Sequence, residues 1–270
     1  MPPHAPTRVA SLQPSVTVTL DRLGLLEHVV ACTKYCRDVV PAIVESKAHI
    51  IHDSWTSKAD EILAAGPDIV IASVPYQLEA IGEILKAGIR FVGLAPHSLN
   101  DIYGDIATIA ALMNVPDRGQ RLIEEMQTEI ASARDKTRNL PKQTVFAEEW
   151  GKPIIHSQPW IAELIEAAGG EFIGKAGAHT EATTIAKENP DVILAAWCGA
   201  GDRVPLEKIV RDRQWIDLTA VRNRRVFCVN DELFNTPGPT LIPGLQAILW
   251  ALHPEHFPPV AGIRRISGDL

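Results

Sequence analysis

No stretch of this 270-residue chain holds the roughly 18–20 consecutive apolar residues that a membrane-spanning helix needs. Basic residues are outnumbered, 26 against 33 acidic ones, and the net charge is −7. A surface of that sign repels phosphates, so nucleic acid is not expected as a partner. Cysteine is scarce, at 4 residues, which excludes a small fold stapled by disulfides. The common catalytic signatures are missing too: there is no P-loop, no G-x-G-x-x-G ahead of a helix, no G-x-S-x-G and no H-E-x-x-H. An enzyme is therefore not expected. Met1-Pro2-Pro3-His4 offers neither a basic n-region nor an apolar h-region. The chain as written is expected in the cytoplasm, and in the periplasm if a leader has been removed.

Hydrophobic residues, by contrast, are plentiful at 46%, enough for one large core or two modest ones and too many for disorder. Short Val- and Ile-rich runs alternate with helix-like segments throughout. The runs are Arg8–Leu12, His28–Ala31, Ile69–Ala72 and Arg90–Leu94, then Thr144–Glu148, Asp191–Ala196 and Arg225–Val229. Nearly continuous apolar character suits parallel strands buried on both faces. Helix ends are legible between them. Ser57 stands three residues before Asp60 in the manner of a capping box, and that helix should stop at Gly66-Pro67; Pro75 should open the next and Gly88 close it.

One phrase occurs twice. Glu61 to Ala72 ends in Gly66-Pro67-Asp68-Ile69-Val70-Ile71-Ala72, and Thr184 to Ala195 ends in Asn189-Pro190-Asp191-Val192-Ile193-Leu194-Ala195. Each copy reads as a helix end, a Pro-Asp turn and a buried strand in the middle of its half, which predicts two α/β lobes of related architecture. Between them Pro116–Asn139 carries Leu122, Met126 and Ile130 on one stripe, and no Gly or Pro interrupts Gln120 to Leu140. At 1.5 Å per residue this predicts one stiff helix of roughly 30 Å. The expected division is an N-terminal lobe over 1–114, a linker helix over 115–140 and a C-terminal lobe over 141–270.

Two parallel-sheet, Rossmann-like lobes joined by one long backbone helix form a known architecture, and the sequence resembles the periplasmic binding proteins that capture cobalamin and ferric siderophores for ABC importers. The resemblance is carried by Arg8-Val9-Ala10-Ser11-Leu12-Gln13-Pro14-Ser15-Val16-Thr17, which is similar to the family's opening strand and Ser-Leu-x-Pro-Ser-x-Thr turn. Leu23-Gly24-Leu25, Ala59 to Ala72, Ser98 to Tyr103, Trp160 to Ile165 with Ala168-Gly169-Gly170, and Ala220 to Phe227 continue it in order over nearly the whole chain. The resemblance implies a ligand held in a cleft between the lobes, with no cofactor required, a monomeric protein and an ABC permease as partner. It also implies docking on that permease through one Glu per lobe. Glu61 matches the first, whereas Thr184 stands at the second position with Glu181 one turn earlier, and Thr240 replaces a basic residue that often follows Gly-Pro.

Ligands of open parallel sheets bind beyond the carboxyl ends of the strands. That rule gathers Ser11, Pro14, Ser15, Tyr35, Trp55, Tyr76, Glu149, Trp150, Trp197, Asp231 and Phe234 as expected ligand contacts. Flat aromatic faces suit a large planar ligand such as a corrin ring or another metal chelate. A second reading comes from the thiols: Cys32, Cys36 and Cys198 all follow predicted strands, and three sulfurs at one point would hold a metal or cofactor in a cytosolic metalloprotein. Cys228 is expected in the core, and His97 and His156 as hydrogen-bonded structural residues.

Overall fold

The computed structural model describes residues 6–53, 58–73 and 78–268. The chain divides into two units, residues 1–125 and 126–270. The first is built on five strands: β1 (Val9–Ser11), β2 (Val29–Thr33), β3 (His49–Ile51), β4 (Ile69–Ser73) and β5 (Arg90–Leu94). They lie in the order β3-β2-β1-β4-β5 and every pairing is parallel. β1 is the central strand, and β4, all five residues of which are buried, lies beside it. Apolar residues of the strands pack against Ile62 and Ile84 from the helices Ala59–Ala64 and Leu78–Lys86.

The second unit contains β6 (Gln143–Gly151), β7 (Ile154–His156), β8 (Gly170–Phe172), β9 (His179–Thr180), β10 (Val192–Ala195), β11 (Val226–Val229) and β12 (Ile263–Arg265). Their order is β12-β11-β10-β6-β7-β9, with β8 also paired to β6. The centre, β11-β10-β6 with β8, is parallel as expected. Its flanks are not: β12 joins β11, and β7 and β9 extend the other side, in antiparallel fashion. These flanking strands are short and only partly buried, so they lack the continuous apolar run that marks a central parallel strand.

The repeated phrase does the same job in both units. Asp68 Oδ2 accepts from the amide and hydroxyl of Thr7, at 3.0 and 3.1 Å, while the Asp68 amide donates to Arg8 O at 2.8 Å. Asp191 Oδ2 accepts from the amide and hydroxyl of Thr144, both at 2.9 Å, and its amide donates to Thr144 O at 3.0 Å. The preceding Gly66 and Asn189 both adopt positive φ, +59° and +48°, the left-handed conformation that ends a helix and that Gly and Asn tolerate best. A helix end and a carboxylate thus staple the entry of the adjacent strand twice over.

The long helix spans Pro116–Thr137. Leu122, Met126, Ile130, Ala133 and Thr137 are buried along it at helical spacing. The division between the units falls inside this helix, between Glu125 and Met126. One local expectation changes. The helix Ala59–Ala64 has Lys58 at its N-cap with no side-chain capping bond, and Ser57, like Pro75, lies outside the described residues.

Candidate functional site

In the second unit the carboxyl ends of β6 and β10 lie side by side, because the two strands pair in parallel from Val145–Val192 to Glu148–Ala195. β6 ends in Glu148-Glu149-Trp150-Gly151, and β10 runs on into Ala196-Trp197-Cys198. Glu148 is fully buried. A bare carboxylate there would be costly, and three donors converge on it. Arg213 reaches both oxygens, Nη1 to Oε2 and Nη2 to Oε1 at 2.7 Å each, and Trp197 Nε1 donates to Oε1 at 3.0 Å. Arg213 Nη2 also donates to Gly151 O at 3.0 Å, and its guanidinium stands 4.8 Å from the Trp215 ring. The Trp197 indole lies directly against Gly151, where a Cβ would come within 2.1 Å of Trp197 Cζ2.

This arrangement fixes one wall of an open cavity of about 580 Å³, lined by Trp150, Lys152, Trp197, Lys208, Ile209 and Arg213 among others. Trp150 is 44% exposed and is steadied by donating Nε1 to Lys152 O at 3.0 Å. Lys208 and Asp212, on the helix Leu206–Asp212, pair at 2.7 Å. The cavity therefore offers indole faces with ammonium groups around them, the composition of a site for a flat apolar ligand with a polar periphery.

Neighbouring residues have other tasks. Asp231 gives both oxygens to a turn, Oδ2 to the Gly199 amide at 2.6 Å and Oδ1 to the Gly201 amide at 3.0 Å; it shapes the loop after β10. Glu149 accepts from Gln158 Nε2 at 2.7 Å. Burial raises its carboxyl above the ordinary range, and the Gln158 hydrogen bond offsets part of that rise. Phe234 is fully buried. Its side chain belongs to the core, and its carbonyl accepts from Trp160 Nε1 at 2.9 Å.

In the first unit the corresponding strand ends carry Ser11, Pro14 and Ser15. Ser11 is fully buried and its hydroxyl pairs with Thr17 Oγ1 at 2.7 Å, so it closes the turn and faces no ligand. Pro14 opens the helix Pro14–Arg22 and is partly exposed, while Ser15 is buried in its first turn. Gln13 Nε2 donates to Ser73 O at 3.1 Å, linking the ends of β1 and β4. Tyr35 is half-buried on the helix Lys34–Val39, with Lys34 Nζ 4.9 Å from its ring centre. Trp55 and Tyr76 lie outside the described residues. Glu61 is exposed in the first turn of its helix, and Thr184 is exposed in the first turn of Ala182–Glu188, whose N-cap is Glu181.

The thiols do not assemble as the metal reading requires. Cys32 and Cys36 are fully buried in the first unit, Cys198 is exposed in the second, and Cys228 is buried in β11. Among the described residues no group of three or more His, Cys, Asp or Glu side chains is placed to hold a metal ion. His156 is buried, with Nδ1 3.1 Å from Ala178 O, a structural role.

The family model described as periplasmic binding protein matches residues 9–233. The chain belongs to the periplasmic binding protein family. It is 25% identical over 93% of its length to YvrC, an ABC transporter substrate-binding lipoprotein of Bacillus subtilis, covering 82% of that protein. It is 23% identical over 93% of its length to the vitamin B12-binding protein of Vibrio parahaemolyticus, covering 89% of it. Among solved structures, a periplasmic heme-binding protein from Pseudomonas aeruginosa shares the fold with a TM-score of 0.87 over 98% of this chain and 99% of that one, at 16% identity. As a periplasmic binding protein the chain has relatives named as periplasmic proteins and lipoproteins, and nothing in these likenesses supports the cytoplasmic placement expected from the N-terminus.

Sequence reasoning reached Trp150 and Trp197 but missed Arg213, Gly151 and Lys152. Only one signal for Arg213 was present: a Glu in a strand predicted to be buried needs a cation, and the sequence does not say which.

Proposed function

We propose that this periplasmic binding protein is the substrate-binding component of an ABC importer and works outside the cytoplasmic membrane on a corrinoid. It binds without turnover and needs no cofactor. The observation that carries the reading is the indole wall: Trp197 is held by the protein's own Glu148 and Gly151, and Trp150 stands exposed beside it. Burying a macrocycle face there gains about 25 cal/mol per Å² of apolar surface, and a formed site keeps the ordering cost small. Relatives named for vitamin B12 support the same ligand class. Tyr35, Pro14, Glu149 and, by sequence alone, Trp55 and Tyr76 complete the proposed contact set. Glu61 is the proposed permease contact of the first unit, with no charge at Thr184 to match it; Glu61→Arg should slow association by reversing a steering charge.

A heme with ionised propionates is the competing ligand, favoured by Lys152 in the cavity wall, where Lys208 is already paired with Asp212. Tryptophan-fluorescence titration with cobalamin, cobinamide and hemin decides between them. The corrinoid reading expects saturation by cobalamin or cobinamide in the micromolar range or tighter. It also expects at least tenfold weakening in Trp197→Ala and Trp150→Ala, as for loss of a central aromatic anchor. Saturation by hemin alone replaces the ligand, and binding of none of the three overturns the reading.

A further inference from the structure

Cys32 and Cys36 are left without a task once the shared metal site is set aside, yet the fold brings them together with some care. Cys32 lies near the end of β2 and Cys36 in the first turn of the helix Lys34–Val39. Thr33 turns the chain between them as the helix N-cap, its Oγ1 accepting from the Cys36 amide at 3.3 Å. The turn folds Cys36 Sγ back over the sheet. It stands 3.1 Å from Thr33 Oγ1 and donates to Ser11 O at 3.6 Å, and Ser11 is the residue paired with Cys32 between β1 and β2. Cys36 Sγ therefore sits over the Ser11–Cys32 strand pair, and neither thiol side chain reaches solvent.

We propose that Cys32 and Cys36 are a covalent modification site: they close to an intramolecular disulfide when the chain folds in the presence of a disulfide oxidant. A disulfide needs its sulfurs about 2.05 Å apart with Cβ atoms roughly 3.5–4.5 Å apart. A Cys36 thiol held against Ser11, the strand partner of Cys32, is brought toward that separation by side-chain rotation. Their surroundings also divide the two roles. Burial opposes ionisation of Cys36, but hydrogen bonds involving Cys32, Thr17 and Thr33 outweigh it and hold the Cys36 thiol below its ordinary range; the same Cys36 hydrogen bond, with burial, pushes Cys32 up. Cys36 is thus the attacking thiolate and Cys32 the resolving thiol.

The Cys36 thiolate attacks one sulfur of the oxidant RSSR, forming a Cys36–S–S–R mixed disulfide and releasing RS⁻, which is protonated to RSH. Cys32 then gives up its proton and attacks the Cys36 sulfur, and the second R leaves as RS⁻ and takes a proton. Two protein thiols and one RSSR become one cystine and two RSH. Because both sulfurs are buried in the folded unit, the oxidant meets them during folding, once the Thr33 turn has formed around Cys36 and before the rest of the unit closes over it. The same burial afterwards shields the bond from reductant. This inference rests on the first unit alone and stands or falls independently of the ligand.

Trypsin supplies the test, because Lys34 lies between the two cysteines and Arg22 and Arg37 flank them. The full chain is reduced and unfolded, refolded with oxidised and reduced glutathione, alkylated in denaturant and digested without reductant. The peptides 23–34 and 35–37 should run in mass spectrometry as one linked pair holding most of the Cys36 signal, separating on reduction. Recovery of both as single alkylated peptides, a glutathione adduct as the end product, or linkage to Cys198 or Cys228 overturns the proposal. In Cys32→Ser the resolving thiol is gone, and the Cys36–glutathione adduct should rise at least tenfold over the wild type. An unchanged adduct level overturns it as well.

Discussion

Glu148 accepts two hydrogen bonds from Arg213, each 2.7 Å long, on a carboxylate with no solvent exposure. The pair joins the end of β6 to the end of the helix Leu206–Asp212, and through Trp197 Nε1 it also holds the loop after β10. A buried pair of this kind is weak evidence of net stabilisation, because both ions had to be desolvated. Removing one partner is another matter. Arg213→Met strands the Glu148 charge and should cost about 3–5 kcal/mol in urea unfolding at neutral pH. The double variant Glu148→Gln/Arg213→Met should recover part of that loss, because no uncompensated charge remains. Equal losses in the single and double variants would mean that packing, not charge, sets the cost.

Gly151→Ala tests the indole wall without touching a charge. The new methyl would stand 2.1 Å from Trp197 Cζ2, far inside contact distance, and the indole must move or the strand must bend. The expected stability cost is about 1–3 kcal/mol, typical of overpacking. Displacing the indole should also break its bond to Glu148, raise iodide quenching of tryptophan fluorescence and weaken the ligand at least tenfold. Gly104→Ala is the control. It lies within the helix Leu99–Leu112 with open space around it, so there the same substitution should raise stability by about 0.5–1 kcal/mol.

The frame was legible because its signals are local. Ile69–Val70–Ile71 and Val192–Ile193–Leu194 are runs that only a doubly covered strand explains, and the two Pro-Asp phrases mark the same staple. The helix Pro116–Thr137 was legible from a single unbroken stripe. What escaped is what depends on distance in sequence or on weak periodicity. Arg213 serves a carboxylate 65 residues away, and no pattern around either residue announces the other. The antiparallel strands β7, β9 and β12 are two or three residues long, too short for alternation to register. Phe234 shows the opposite error: an aromatic past a strand end looks the same whether it faces a ligand or, as here, the core. The cysteines misled in a similar way: a thiol after a strand reads the same whether it lines a site or, like Cys32 and Cys36, is buried inside its unit.

Asp105 sets a pH dependence whose sign is opposite to that of most carboxylates. It is half-buried in the helix Leu99–Leu112, and burial first, then the Asp101 charge one turn away, pushes its carboxyl up to about 6 from 3.8. The folded chain therefore keeps a proton that the unfolded chain releases between about pH 4 and 6. Where the folded state binds more protons, stability falls as pH rises. The contribution of protonated Asp105 is complete below pH 3.8, is lost on the way up through 6 and does not change above that. Asp105→Asn carries no such proton, so the melting temperature of the variant minus that of the wild type should climb from about pH 4 to about pH 6 and then level off. Other carboxylates, such as Asp68, whose pKa is lowered chiefly by the Thr7 amide, lose stability toward acid in both proteins and cancel in the difference. Because burial is the larger cause, Asp101→Asn should move the Asp105 step to lower pH without removing it. A step that vanishes in Asp101→Asn would instead make the neighbouring charge the dominant cause.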